Sequence, residues 1–253
     1  MEILITEQQP GWVRLTLSRP SVRNALNTAL LAQLAQTLSR LSDDVTCRVV
    51  LLTGTGGHFA AGADIAEIAG KSSADAALDP RKTHWATIRA FPKLMIAGID
   101  GFCLGGGFEL ALMADCMVVG ATARLGLPEI NLGLIPGAGG TERLTALAGR
   151  ARAARMILTG EMIDAATAYH WGIAGWLAEG SSLPDAEALA ARLASRAPLA
   201  LQAAKRAIFS CEGGRSNNFA TSRAAFEGLL DTADAHEGIA AFREKRAPVF
   251  RGE

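Results

Sequence analysis

The chain has 253 residues, with 25 basic against 25 acidic side chains and a formal net charge of zero. That balance gives no bulk electrostatic reason to expect a nucleic acid or an anionic membrane as partner. At 49% hydrophobic and 20% charged, the chain can bury a sizeable core, as one large domain or a domain with a small appendage.

The N-terminal "MEILITEQQP" carries acids and lacks both a basic start and a long apolar run, so no secretory signal is expected there. No stretch of about 18 apolar residues suggests a membrane span. Cys47, Cys103, Cys116 and Cys211 show no C-x-x-C spacing and read as free thiols in a reducing compartment. The expectation is a cytoplasmic enzyme or binding protein.

"WVRLTLS" alternates apolar and polar residues, the pattern of a half-buried strand. "SRPSVRNALN" follows as a loop. Leu30, Leu31, Leu34, Leu38 and Leu41 then recur at helical spacing, with Asn27 as N-cap. "CRVVLLTG" is a continuous apolar run, typical of a strand buried on both faces. The segment from Gly70 to Pro80 has no clear period and reads as a mobile loop. "HWATIRAF" predicts a helix; "KLMIAGIDG" and "DCMVVG" predict two more buried strands. Strands alternating with helices argue for an α/β core with a largely parallel sheet. After about Gly149 every pattern is helical, from "GRARAARMIL" to "HEGIAAFREK". There is no internal repeat and no low-complexity segment.

Two glycine-rich loops each follow a buried strand. In "GTGGHFAAGAD", Gly54 and Gly56 give G-x-G, but Phe59 stands where a dinucleotide fingerprint needs its third glycine. A phosphate-binding P-loop motif is also absent. In "DGFCLGGGFE", Gly105, Gly106 and Gly107 leave the backbone bare where a helix begins. The first helical N–H groups have no internal acceptors. Such a bare N–H can approach an oxyanion, or the glycines can serve tight packing against a strand.

Glu109 and Glu129 both lie in mostly apolar runs. Glu109 can cap or favour its helix start, and Glu129 can bond nearby backbone N–H groups. Converging on one apolar pocket, they would have shifted pKa values and could share proton transfer. No G-x-S-x-G is present, and His58, His84, His170 and His236 lack ligand spacing, so neither a nucleophile triad nor a metal site is expected. Asp64 reads best as a helix cap.

"HFAAGADI", "GFCLGGGFELALMADCMVV" and "ARLGLPEINLGLIPGAGGTERL" together resemble the signature of the enoyl-CoA hydratase/isomerase (crotonase) family. "RPSVRNALN", "LTGEMIDAATAYHWGI", "APLALQAAKRAI" and "HEGIAAFREKRAPVFRG" also fit, so the resemblance spans almost the whole chain. Within the family the chain is most similar to the bacterial hydratases of phenylacetate breakdown, which act on 2,3-dehydroadipyl-CoA. The resemblance implies an α/β spiral of repeated ββα units over residues 1–190 and a helical trimerisation region over 191–253.

It further implies an oxyanion hole made by the N–H groups of Ala63 and Gly106. The paired hydratase glutamates map to Glu109 and Glu129. Coenzyme A is expected along Arg23, Ala25, Ala61, Ala63, Asp64 and Ile65, with Lys245 reaching the nucleotide of a neighbouring subunit. The substrate is a coenzyme A thioester; no prosthetic group or metal is implied, and the assembly is a homotrimer or a dimer of trimers. Relatives that only move double bonds often lack the first glutamate, so Glu109 favours hydration over isomerisation.

Three positions depart from the family pattern: Leu94 for a second proline, Phe108 for a frequent cysteine, and Glu142 for a common glutamine. Phe108 is expected to narrow the acyl pocket. An RNA-binding scaffold is disfavoured by the zero net charge and the absence of a lysine-rich helix. A Clp-type peptidase would need a serine at the start of the helix that carries Glu109, together with a nearby histidine.

Overall fold

The computed structural model describes residues 3–211 and 218–253; it does not describe the side chains of residues 211 and 218–221, so the expected free thiol of Cys211 lies outside what is described. In chain order the strands are β1 (Leu4–Gln9), β2 (Trp12–Leu17), β3 (Val49–Gly54), β4 (Leu94–Ile99), β5 (Phe102–Leu104), β6 (Cys116–Val119), β7 (Arg124–Gly126), β8 (Ile163–Asp164) and β9 (Trp176–Leu177). The helices are α1 (Thr28–Asp43), α2 (Ile65–Ile68), α3 (Ser73–Ala77), α4 (Arg81–Arg89), α5 (Gly106–Ala111) and α6 (Gly140–Ala148), then α7 (Arg150–Thr159), α8 (Ala165–His170), α9 (Leu183–Ala194), α10 (Pro198–Cys211), α11 (Asn218–Leu229) and α12 (Ala233–Glu244).

The main sheet runs in the order β1-β2-β3-β4-β6-β9. β1 and β2 form an antiparallel hairpin, and every later pairing in that sheet is parallel. Successive residues of a strand face opposite sides. Thus Val50, Leu52, Met95 and Ala97 enter one apolar cluster with α1, while Val49, Leu51, Leu94 and Ile96 enter another. That second cluster is closed by Ala186, Leu189, Ala190 and Ala194 of α9. Burial on both faces is why these strands read as unbroken apolar runs.

β5, β7 and β8 make a second, smaller sheet. The chain reaches it directly after two of the main strands: β4 leads to β5 and α5, and β6 leads to β7, a 3-10 turn at Pro128–Leu132, and α6. These are two ββα units, and they match the expected spiral. The residue-190 boundary falls inside α9, which packs on β3 and β4.

The structure corrects several local expectations. β1 was not anticipated. The segment after Gly149 is not wholly helical, because β8 and β9 pair with β7 and β6. Two-residue strands carry no periodicity and exist only through their partners. The expected loop from Gly70 to Pro80 contains α3, started by a capping box in which Asp75 N–H donates to Ser72 Oγ at 3.2 Å and Ser72 N–H to Asp75 Oδ2 at 2.8 Å. Five residues are too few to show an apolar period.

Asn24 joins two loops that border the site. It is fully buried, with φ of +58°, a conformation asparagine tolerates better than most residues. Its Nδ2 donates to the carbonyls of Thr55 (2.9 Å) and His58 (2.7 Å), and its Oδ1 accepts from Arg19 N–H (2.9 Å). Replacing Asn24 by Ala strands these buried groups. Urea unfolding should show a stability loss of about 1–3 kcal/mol, the cost of unsatisfied buried partners.

Candidate active site

The loop after β2 and the loop after β3 pair as a short parallel ladder. Ala61 N–H donates to Arg23 C=O (2.9 Å), Leu26 N–H to Gly62 C=O (2.8 Å), and Asp64 N–H to Leu26 C=O (3.0 Å). This ladder brings Arg23, Ala25, Ala61, Ala63, Asp64 and Ile65 together, although 36 residues separate Ala25 from Ala61 in the sequence. The Ala63 N–H meets no acceptor among the described residues.

The three consecutive glycines answer three separate geometric demands. Gly105 sits at φ of +49°, outside the range of most side chains. A Cβ on Gly107 would lie 2.4 Å from the carbonyl oxygen of Ala60, so only glycine lets α5 press onto the loop after β3. Gly106 opens α5, and its N–H has no acceptor inside the helix. Ala63 N lies 3.5 Å from where a Cβ on Gly106 would stand. The two bare N–H groups are therefore neighbours. Leu26 and Trp85 each approach that same point at 3.9 Å and wall it with apolar surface.

Glu109 lies one helical turn on, 4% exposed. Its Oε1 accepts from Ala138 N–H at 2.6 Å and from Gly140 N–H at 2.9 Å. Burial raises its pKa, against the pull of the N–H groups of Gly140, Ala138 and Gly137, and the charge of Glu142 adds to the rise. Glutamate in place of glutamine at position 142 thus reaches the site electrostatically.

Glu129 stands on the Pro128–Leu132 turn with Oε1 3.2 Å from where a Cβ on Gly105 would stand. Its Oε2 is buried without a hydrogen-bond partner among the described residues. Burial raises its pKa to about 7; its own backbone N–H opposes the rise and the charge of Glu109 adds to it. The two carboxylates are in electrostatic contact, yet differ in kind. One is held by backbone donors that favour the anion, the other is left unpaired, which favours the neutral acid.

Other expected residues take different places. The Asp64 carboxylate caps α2 through Ala66 N–H (3.3 Å) and pairs with Arg19 (2.9 Å), and its backbone N–H and C=O bond Leu26 C=O and Glu67 N–H, so its polar groups are committed to the fold. Ile65 is exposed. Arg23 is exposed and stacks over Phe102 at 5.2 Å. Lys245 is an exposed C-cap of α12 at φ of +55°. Phe108, expected to narrow the acyl pocket, is fully buried in the main core. Leu94 packs into the cluster under α9.

Sequence reading missed Trp85, Asn24, Arg19 and the donors of the "PGAGG" turn. The turn was visible, but not the side chain it holds. A cavity of about 820 Å³ lined in part by His58, Asp100 and Phe102 contains none of the expected catalytic residues. Its carboxylate, Asp100, accepts from Ser181 Oγ (2.7 Å) and Ser182 N–H (3.0 Å), which ties the end of β4 to the start of α9. Among the described residues no three His, Cys, Asp or Glu side chains gather as metal ligands. No described helix is long and apolar enough to cross a membrane.

Comparison with known proteins identifies the family and the fold. The enoyl-CoA hydratase/isomerase family model matches residues 7–253. A 2,3-dehydroadipyl-CoA hydratase of Escherichia coli (strain K12) is 45% identical over the full length of both chains. The crystal structure of an enoyl-CoA hydratase from Bacillus anthracis superposes with a TM-score of 0.93 at 36% identity, covering 100% of each chain. That of an enoyl-CoA hydratase from Mycobacterium tuberculosis H37Rv superposes with a TM-score of 0.90 at 34% identity, covering 99% of each. With a family model and full-length relatives in agreement, the chain belongs to the enoyl-CoA hydratase/isomerase family.

Proposed function

We propose that the protein is an enoyl-CoA hydratase that adds water across the C2=C3 bond of a trans-2-enoyl-CoA, and that 2,3-dehydroadipyl-CoA is its substrate. The observation that carries the reading is the pair of unlike glutamates beside two unpaired backbone N–H groups. The likeness to the Escherichia coli enzyme supports the choice of acyl chain.

In this reading the thioester oxygen accepts from the N–H groups of Ala63 and Gly106. Withdrawal of electron density makes C3 electrophilic. One such donor contributes about 3 kcal/mol to a developing oxyanion. Glu109, the anion, takes a proton as water oxygen bonds to C3. The π electrons move toward C2, which takes the proton of Glu129. The product is a 3-hydroxyacyl-CoA, and proton exchange with solvent resets both carboxyls. Coenzyme A lies along the ladder of Arg23, Ala25, Ala61, Ala63, Asp64 and Ile65. No prosthetic group enters the scheme. The free thiols Cys47, Cys103 and Cys116 fit a cytoplasmic setting.

We assign residues 191–253 to oligomerisation as a trimer or dimer of trimers. Phe226, Leu230, Ile239 and Phe242, 45–86% exposed in one protomer, support this. Such an assembly would also bring Lys245 to a neighbour's nucleotide.

Loss of enoyl-thioester absorbance tests the activity. Turnover should be seen with 2,3-dehydroadipyl-CoA at higher kcat/KM than with crotonyl-CoA. Glu109→Gln and Glu129→Gln should each lose about 10²–10⁴-fold in kcat, the usual worth of one proton-transfer group. A chain that acts instead as an isomerase relying on Glu129 alone would survive Glu109→Gln.

The pH profile of kcat/KM follows from the signs. Glu129 must be protonated to donate, so activity should fall as pH rises through about 7. Glu109 must be ionised to accept, so activity should also fall in acid, below a limb lifted above the ordinary glutamate range by burial. Light scattering at micromolar concentration should give the mass of a trimer or hexamer, and a monomer would contradict the assembly.

A further inference from the structure

Glu109 depends on a turn with little stiffness of its own. "PGAGG", residues 136–140, holds three glycines, and Gly139 sits at φ of +101°. Two of its peptides donate to Glu109: the one ending at Ala138 N–H and the one ending at Gly140 N–H. The peptide between them carries the Ala138 carbonyl. That carbonyl accepts from Nη2 of Arg89, the last residue of α4, at 3.2 Å. Arg89 Nη2 and Arg143 Nε both lie 3.9 Å from where a Cβ on Gly139 would stand. Arg143 also donates to Leu112 C=O, at the C-terminal end of the helix that carries Glu109 (3.2 Å).

We propose that Arg89 is a positioning residue for hydration: by pinning the middle peptide of the 136–140 turn, it keeps two N–H donors aimed at Glu109 and so sets the basicity of that carboxylate. The inference rests on the reading of Glu109 as the base. The charged groups around Glu109 are Glu129 on the 3-10 turn, Glu142 and Arg143 on α6, and Arg89 on α4. Of these, the charge of Glu142 disfavours its ionisation. The backbone donors of the turn are the neighbours that favour it most directly, and Arg89 acts through them. With the turn loosened, the anion loses donors, its pKa rises, and less of it is available as base.

The test is Arg89→Met, with thermal melting to verify folding and full pH profiles on an enoyl-CoA. The expected result is a fall in kcat of about ten- to a hundred-fold, as for a small misplacement of a catalytic group, with KM little changed. The acidic limb of kcat/KM should move up by about one pH unit. Arg89→Lys, which keeps charge and donor, should recover most of the rate and of the limb. In the Glu109→Gln background, Arg89→Met should cost no more than about twofold, because the residue it positions is already lost. Should Arg89→Met not fold, Arg89→Gln carries the same readouts. An unchanged kcat and acidic limb in a folded variant, a loss confined to KM, or a full additional loss on top of Glu109→Gln would each overturn the proposal. If Glu109→Gln itself keeps the wild-type rate, the assignment of the base falls and this inference with it. If Glu109→Gln is impaired and Arg89→Met is not, only the inference falls.

Discussion

The site rests on one close approach, the first turn of α5 against Ala60. The carbonyl of Ala60 accepts from Leu104 N–H at 2.9 Å and lies 2.4 Å from where a Cβ on Gly107 would be. Any side chain there would push the helix off the loop after β3. Contact at that distance sets Gly106 N–H beside Ala63 N–H. It also aims Glu109 at the 136–140 turn and gives Glu129 a bare surface at Gly105 to lie on. Four candidate site groups from three separate segments take their relative positions from one backbone contact.

The second constraint is electrostatic. Two carboxylates buried near one another cannot both ionise freely, so one of them must be stabilised as the anion and the other left neutral. The protein separates them by backbone hydrogen bonding. Glu109 collects N–H donors from a glycine turn, while Glu129 keeps one oxygen unpaired. In the proposed hydration, that difference would let one carboxyl take the proton of water while the other gives a proton to C2. In the proposed arrangement Arg89 keeps the turn stiff: a glycine-rich segment has conformational freedom to lose, and a side chain from α4 bonds its middle peptide.

Much of the fold was legible because burial leaves a periodic trace. The runs at Val49–Gly54 and Leu94–Ile99 are apolar throughout, since helices cover both faces of the sheet. Asn27 announced α1 by its capping chemistry, and the structure has its side chain accepting from Leu30 N–H. By contrast, β8 and β9 owe their existence to neighbours far away in the chain, and α3 is too short to leave a pattern. Phe108 stood beside an expected catalytic residue in the sequence, yet a helix turns each residue by about 100°, so adjacency along the chain put it in the core.

By itself, the sequence determined which chemical groups were present: glycines where backbone must be bare, two carboxylates among apolar residues, no metal-ligand spacing and no nucleophile motif. Those are local properties, and composition and spacing record them directly. Only the tertiary structure decided how the groups meet. Glu109 shares a turn with donors about 30 residues later, Ala63 faces Gly106 across two loops, and Arg89 reaches the carbonyl of Ala138 from another helix. Such contacts depend on packing between distant segments, and a linear pattern carries no distance between residues far apart in the chain.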